Sequence, residues 1–520
     1  MRPEPDDRVG SDAVPGNPRP RTVTGIRLGD LAIRLSVDLP ADAAAVVVTG
    51  VTHASQEVRP GDLYAALPGA RRHGAEFASG AAEAGAVAVL TDLAGAELAA
   101  QSGLPALVVP DPRAVLGELA SAVYGDPTAA LTVIGVTGTA GKTSTAYLIE
   151  SGLRAAGHTT GLVGTVETRL GDLVIDSVRT TPEATDLHAM LATARERGVT
   201  AVVMEVSSHA LAMGRVGGVR FAVGGYTNFG SDHLDFHADS DDYFAAKAQL
   251  FDGRCAVEVL NHDDPALKPL LKPGTVTYSA AGDQGATWWA DGVSGEGYAQ
   301  RFTAHGPNGV ALSAGVALPG RHNVANALLA IAALVGAGVD PVTAAAGVAA
   351  CGGVPGRLQL VDVAAPVRGV VDYAHKSDAI VAALAALREL SAGRLICVIG
   401  AGGDRDRGKR PVMGAAAAEG ADVVLVTDDN PRTEDPGEIR AEVLAGAYRA
   451  GTSARIIEVA GRRAAIDEAV RLAEPGDVIA LLGKGHERGQ EVAGEVFPFD
   501  DNTELAEALR ARFGDLAGQR

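Results

Sequence analysis

The chain has 520 residues, too long for one hydrophobic core and suited to about three domains of ordinary size. Hydrophobic residues at 47% against 21% charged exclude a globally disordered chain. A formal charge of -19 argues against a nucleic-acid partner, because phosphate backbones are held through an excess of Lys and Arg, but it leaves room for a local basic pocket around a small polyanion.

Residues 1–20 are rich in Pro, Asp and Arg and lack an apolar segment of the signal-peptide kind, so they read as a disordered leader. Nowhere do about 18 consecutive apolar residues occur, which predicts a chain without a membrane partner. Cys255, Cys351 and Cys397 are far apart and lack metal-ligand spacing. Neither a disulfide framework nor a zinc site is expected, and a reducing, cytoplasmic compartment fits.

Residues 21–126 read as a first domain. Val46-Val47-Val48 and Ala86 to Leu90 have the pattern of short buried strands, and Gly74 to Ala84 that of a small-residue helix stopped by Gly85. The segment closes near Gly125-Asp126-Pro127.

Residues 127–354 read as a second domain. It opens with a β-branched run, Thr132 to Val136, then a Gly-rich turn, then a helix whose apolar positions Ala146, Ile149, Leu153 and Ala156 share a face and which Gly157 stops. The turn contains Gly138-Thr139-Ala140-Gly141-Lys142-Thr143-Ser144. Between a strand and a helix, such a turn aims backbone N–H groups and the helix N-terminus at phosphates. Lys142 is placed to reach the β- and γ-phosphates, and Thr143 to hold Mg²⁺. The strict GxxxxGK[ST] pattern fails, since Val136 stands where the first glycine belongs. The alternative, a Gly-rich turn with a surface lysine, is the weaker reading because both flanking elements are present. A phosphate loop predicts nucleotide binding and leaves the reaction open.

Further on, the run Ala201 to Met204 delivers Glu205 at a strand end, where either a magnesium ligand or a helix-capping carboxylate is expected. The stretch Asn228 to His237 is dense in oxygen and imidazole groups, including Asp232, His233 and Asp235, and is either a ligand loop or a solvated one. Lys247, on an amphipathic helix, reads by itself as solvent-facing.

Past the linker Gly352-Gly353-Val354-Pro355-Gly356, residues 355–520 read as a third domain. The apolar runs Val367 to Val371, Leu395 to Ile399 and Val423 to Val426 are each followed by a helical stretch, and Val478 to Leu482 makes a fourth strand. This βαβ succession predicts a Rossmann-like, mostly parallel sheet. The expected fold is therefore α/β in three domains, with a central P-loop ATPase domain. Loops at 402–406, 428–432 and 483–487 follow strand ends, the ligand edge of an open parallel sheet. Read alone, Asp429 to Arg432 is open between such a loop and an Asx turn.

The order of motifs carries more than each one. Thr137-Gly138-Thr139 with Gly141-Lys142-Thr143, then Glu205-Val206-Ser207-Ser208-His209, Asp232-His233-Leu234-Asp235, Lys247, Gly320-Arg321-His322-Asn323, Gly356-Arg357 and Asp372-Tyr373-Ala374-His375 together resemble the Mur ligase family from about Gly50 to the C-terminus. The resemblance implies an ADP-forming, ATP-dependent acid–amino-acid ligase of cell-wall synthesis, using Mg²⁺ and expected to be a monomer. It implies that Glu205 and His233 are metal ligands and that Lys247 is carbamylated to give another. It makes Asn323, Arg357 and Asp372 ATP contacts, and Ser55, Thr180, Thr181, Ser207 and Arg215 contacts of a UDP-N-acetylmuramoyl-dipeptide. It also points to Asp429-Asn430-Pro431-Arg432, with Arg405, Gly483 and Glu487, as the site of the incoming amino acid. Within the family, Asp-Asn-Pro-Arg is similar to the motif of ligases selecting 2,6-diaminopimelate, and a planar guanidinium suits its distal carboxylate. Two departures stand out: His53-Ala54-Ser55-Gln56 replaces a frequent Asp-Ser-Arg pattern, and Lys376-Ser377 stands where the family often has Thr-Pro. The rival expectations are a lysine- or D-glutamate-adding ligase, a folylpolyglutamate synthetase, and, from another class, a P-loop switch or motor.

Overall fold

A computed structural model describes residues 18–514. The leader expected over residues 1–20 thus lies largely outside the described residues. Near the start of the described part, Arg19 is bound to Asp62 at 2.7 Å.

The first sheet has four parallel strands in spatial and chain order, Gly50–Thr52, Asp62–Ala65, Ala88–Thr91 and Ala106–Val108. Only the third was read from the sequence; the first two include Gly, Thr or Asp, and the fourth is a run of just three apolar residues. Val47 and Val48 form a strand outside this sheet, antiparallel to Ile26–Arg27. Val48 is buried but Val47 is 49% exposed, so the expected buried strand is corrected to one that buries alternate residues. The helix expected from Gly74 starts as a 3-10 turn over Gly74–Phe77, where the His73 ring accepts from the Ala75 amide and Glu76 from the His73 amide, and continues as Ala78–Glu83.

The central sheet has 11 strands. Its parallel heart runs in the order Thr160–Val163, Ala201–Glu205, Thr132–Thr137, Phe221–Tyr226, Cys255–Asn261 and Val276–Ser279. Trp288–Glu296 continues it in parallel beyond Val276–Ser279, and antiparallel strands then extend both flanks. Ile134 and Val136 face a core built with the helices Lys142–Ala155 and Arg321–Gly336, while Val133, Val202 and Met204 face a second core on the opposite side. Apolar cover on both faces explains why these strands read as continuous hydrophobic runs. It also puts the strand ends, and the loops after them, at one edge.

The third sheet has the order Gln359–Leu360, Arg368–Asp372, Val478–Leu482, Leu395–Ile399, Val423–Val426 and Arg455–Glu458, parallel except for the first. The four strands read from sequence are present. Arg455–Glu458 escaped notice because its charged ends flank only two apolar residues. A separate hairpin, Gly489–Val492 with Glu495–Pro498, reaches back over the loop at Arg432. Among the described residues no helix is long and apolar enough to cross a membrane, and the three cysteines are buried and free.

Candidate active site

The strand Thr132–Thr137 is buried apart from its first residue and ends directly in the phosphate loop, and Val136 lies inside that strand, paired with Glu205. The glycine missing from the P-loop pattern would have fallen within the sheet. The loop needs its two remaining glycines for space and conformation. Gly138 has φ 140° and Gly141 φ 86°; a Cβ on the first would lie 1.8 Å from Thr227 Oγ1, and on the second 2.5 Å from Asn326 Oδ1. Three residues clasp the loop, of which Asn228 lies in a stretch that the sequence marked out. Thr227 donates to the Ala140 carbonyl at 2.5 Å, Asn228 accepts from the Ala140 amide at 3.0 Å, and its backbone carbonyl accepts from the Thr139 amide at 2.8 Å. Asn326 completes the clasp beneath Gly141. They come from distant strand and helix ends, where a lone Asn or Thr carries no periodic signal.

Glu205 closes the strand beside the loop and is buried. Its carboxylate accepts from Thr143 Oγ1 at 3.1 Å, from Thr165 Oγ1 at 3.1 Å and from the Thr165 amide at 2.8 Å. A hydroxyl and a carboxylate thus sit together at the mouth of the phosphate loop, a donor set that suits Mg²⁺, which draws its remaining ligands from phosphate oxygens and water. Among the described residues no three His, Cys, Asp or Glu side chains converge as a ready metal cage.

Lys142 donates to the carbonyls of Gly138 at 2.8 Å and Thr139 at 3.1 Å. Lys247 donates to the same Gly138 carbonyl at 2.8 Å, with its amine 4.6 Å from the centre of the Tyr243 ring. Contrary to its reading as a surface lysine, Lys247 is 1% exposed. Burial, and then the nearby Lys142 cation, push its amine well below the ordinary lysine range. His233 belongs to the same cluster, edge-on to His209 at 4.7 Å and 6.0 Å from the Tyr243 ring. Burial lowers it to about 4, so its imidazole is neutral near pH 7 and keeps a lone pair for a metal.

From the far side of the loop, Arg357 donates to Thr143 Oγ1 at 3.3 Å and lies over the Tyr373 ring at 4.6 Å. Asp372 does not face the loop. Its two oxygens accept from the Leu358 amide at 2.6 Å and the Ala374 amide at 2.8 Å, and Leu358 sits in the left-handed region at φ 40°. Asp372 therefore holds the turn that presents Arg357. Asn323 is buried, bound to the Pro319 carbonyl at 2.8 Å and to Asn326 at 3.0 Å, which fixes Asn326 under Gly141.

Thr180, Thr181, Ser207 and Arg215 come together. Thr180 pairs with Thr165 at 3.0 Å, and Thr181 donates to the Glu205 carbonyl at 2.8 Å and accepts from the Ser207 amide at 3.1 Å. Arg215 reaches the Thr181 carbonyl at 3.3 Å and Glu183 at 2.8 Å. Ser55 stands apart in the first sheet's loop, although its neighbour His53 meets Thr185 at 3.0 Å across the junction.

In the third sheet, Asp429, Asn430 and Glu487 are gathered around Lys484, which is fully buried and follows Gly483, while Pro431 and Arg432 continue the loop from Asn430. The Lys484 amine lies 3.0 Å from Asn430 Oδ1, 3.3 Å from Glu487 and 3.6 Å from Asp429. Asn430 also donates to Glu487 at 2.8 Å. Arg432 donates to the Gly403 carbonyl at 2.6 Å and to Glu491 at 3.0 Å. Arg405 is exposed beside Gly402, on the same rim. Sequence reading missed Lys484, although it lies within the Gly483 to Glu487 loop, and Glu491, whose hairpin pairs with no strand of the main sheet.

These loops lie along an order that known proteins share. Models of the Mur ligase family, catalytic domain, the Mur ligase middle domain and the Mur ligase, glutamate ligase domain match residues 47–124, 136–334 and 356–485. The chain belongs to the Mur ligase family. It is 53% identical over 506 residues to the UDP-N-acetylmuramoyl-L-alanyl-D-glutamate–2,6-diaminopimelate ligase of Streptomyces coelicolor, covering 96% of this chain and 99% of that one. To the ligase of the same name from Corynebacterium glutamicum it is 46% identical, over 87% and 90% of the two chains. A solved structure of a UDP-N-acetylmuramoyl-L-alanyl-D-glutamate–2,6-diaminopimelate ligase superposes with a TM-score of 0.69 at 31% identity, over 94% of this Mur ligase and 99% of the other.

Proposed function

We propose that this Mur ligase joins 2,6-diaminopimelate to UDP-N-acetylmuramoyl-L-alanyl-D-glutamate at the expense of ATP, releasing ADP and phosphate. The observation that carries the reading is the placing of Arg432, with a guanidinium held by Gly403 and Glu491 at the rim of the Lys484 cluster, in a chain 53% identical to a relative named for that substrate. The γ-carboxylate oxygen of the dipeptide attacks the γ-phosphorus of ATP, the bond to the bridging oxygen breaks, and ADP leaves an acyl phosphate. The amine of diaminopimelate then attacks the acyl carbon, the carbon–oxygen bond to phosphate breaks, and the nitrogen loses its proton.

Each group has a defined part. Backbone amides of residues 138–144 and the N-terminus of the helix Lys142–Ala155 receive the phosphates, and Lys142 turns from the loop carbonyls to offset the charge that develops. Thr143 and Glu205 would hold Mg²⁺, which supplies charge neutralisation at the phosphate oxygens. His233 adds a neutral imidazole. Lys247, whose burial disfavours the ammonium form, is an amine suited to adding CO₂, and the resulting carbamate would give the site a further anion. Thr180, Thr181, Ser207 and Arg215 receive the nucleotide-linked dipeptide. Arg432 and Arg405 grip the distal carboxylate of the amino acid, and Asn430 and Glu487 its ammonium. Such chemistry belongs in the cytoplasm and needs one copy of the chain.

The lysine-adding reading is not favoured because lysine lacks the distal carboxylate that Arg432 would bind, and the folylpolyglutamate reading is not favoured because the relatives at 53% and 46% identity are named for diaminopimelate. Incubation of the protein with ATP, Mg²⁺, the UDP-dipeptide and diaminopimelate should yield ADP, phosphate and a UDP-tripeptide by mass spectrometry. Release of AMP and pyrophosphate, or equal turnover with lysine, would overturn the assignment.

A further inference from the structure

Lys376 occupies one of the two positions at which the sequence departs from the family pattern, and it makes a contact between two sheets. It sits at the N-cap of the helix Ser377–Arg388, in the loop leaving the strand Arg368–Asp372. From there its ammonium forms an ion pair with Asp232 in the loop that follows the central strand Phe221–Tyr226. Both side chains are largely shielded, 33% and 11% exposed, so water screens the pair less than an open surface bridge. The same Asp232 carboxylate accepts from the His233 amide at 2.8 Å and lies 3.1 Å from His233 Nε2. His233 has φ 53°, a conformation that a non-glycine residue holds only where its surroundings impose it. Asp232 meets both the amide and the ring of His233, whose carbonyl accepts from the Phe236 and His237 amides, and Lys376 anchors Asp232.

We infer that Lys376 is a positioning residue that makes the geometry of the His233 loop depend on docking of the C-terminal sheet: Lys376 holds Asp232, and Asp232 sets His233 for the nucleotide-bound cation. The inference rests on the proposed reading of the phosphate loop as an ATP–Mg²⁺ site. Its physical content is a coupling between two contacts of one carboxylate. With the C-terminal sheet docked, Asp232 has a fixed cationic partner and the loop has one conformation. With it withdrawn, the carboxylate is free to turn toward Lys142 or solvent, and His233 loses the orientation that its left-handed backbone requires. Arg357, which reaches Thr143 from the same C-terminal side, acts in parallel on the other flank of the loop. The backbone of the phosphate loop is clasped by Thr227, Asn228 and Asn326, none of which Lys376 touches, so nucleotide binding without a divalent cation should not need Lys376.

The test uses the full chain and calorimetric binding of a non-hydrolysable ATP analogue, with Mg²⁺ and with EDTA. Lys376→Ala should weaken binding about 10-fold with Mg²⁺ and leave binding in EDTA unchanged, and Lys376→Arg should restore most of the loss. In the Asp232→Asn background, Lys376→Ala should have no further effect, because its action passes through that carboxylate. Equal affinity of Lys376→Ala and the parent with Mg²⁺, an equal loss in both conditions, or additive losses in the double variant would each overturn the inference. If the unaltered protein fails to bind the analogue at all, the ATP assignment itself fails, which is a separate outcome.

Discussion

Arg432 owes its orientation to residues on either side of it. Its backbone is left-handed at φ 54°, its amide donates to the Glu491 carbonyl at 3.0 Å and its carbonyl accepts from the Ala493 amide at 2.7 Å, so the hairpin fixes the base of the side chain. Glu491 and Gly403 then fix the guanidinium. Removing it leaves Glu491 to repel a second carboxylate where a cation had attracted it. Arg432→Ala should lower kcat/KM for diaminopimelate by about 100-fold, with the slow reaction of lysine unchanged. Parallel turnover assays check this, and an equal fall for both amines would place Arg432 in the scaffold. The residue type and motif were legible in the sequence. The partner was not, because Glu491 is 59 positions away in an element with no apolar stripe to reveal it.

The strand, loop and helix around Lys142 were legible for a different reason: the β-branched run and the helical spacing are local, and the two glycines are demanded by the backbone. What closes over the loop is non-local. Gly141→Ala would meet both a left-handed φ and Asn326, whereas Gly157, at φ 87° past the end of the same helix, has open space around it. Both alanine variants should lose about 1 kcal/mol of stability from the backbone strain. Only Gly141→Ala should also lose ATP-analogue binding, by at least about 10-fold, since the Asn326 clash displaces the loop amides. Chemical denaturation together with titration of the analogue separates the two effects. The helix Ala184–Glu196 carries a comparable local device. His188 is completely buried, its Nε2 donates to the Gly217 carbonyl at 2.8 Å, and burial lowers it from 6.5 to about 4. The unfolded chain takes up this proton first as pH falls, so the contribution is intact above pH 6.5 and declines toward pH 4. The loss at about pH 5 should be near 2 kcal/mol. His188→Gln should therefore show a shallower fall in urea midpoint between neutral pH and about pH 5, and an unchanged slope would contradict the assignment.

At the scale of the whole molecule, the two junctions between sheets differ in kind. The first sheet shares one apolar cluster with the central helix Ala184–Glu196, through Ala184, Ala189 and Ala192, and Gly117 packs so closely on Gly217 that a Cβ there would lie 2.4 Å from its carbonyl oxygen. Among the described residues, the third sheet has two apolar cores of its own, to which the centre adds Tyr298; beyond that Gly320 packs against Ala386, and polar contacts are made at Thr143, Asp232, the Leu358 carbonyl and between Thr165 and His486. Apolar burial is lost wholesale when a shared core is cut, whereas polar contacts exchange with water at little net cost. The C-terminal sheet is therefore the body free to close, which suits a reaction that must bring an amino acid to an acyl phosphate formed beside Lys142. A fragment covering residues 355–520 should fold alone, with dispersed amide resonances and a cooperative thermal transition. A fragment beginning at residue 127 and ending at 354 should not reach native stability, because Ala184, Ala189 and Ala192 lose their cover. In the full chain, calorimetry should resolve the C-terminal transition from a single one shared by the first two sheets, and the ATP analogue with Mg²⁺ should draw the two together. One cooperative transition without ligand would show that the polar junction is as strong as the apolar one.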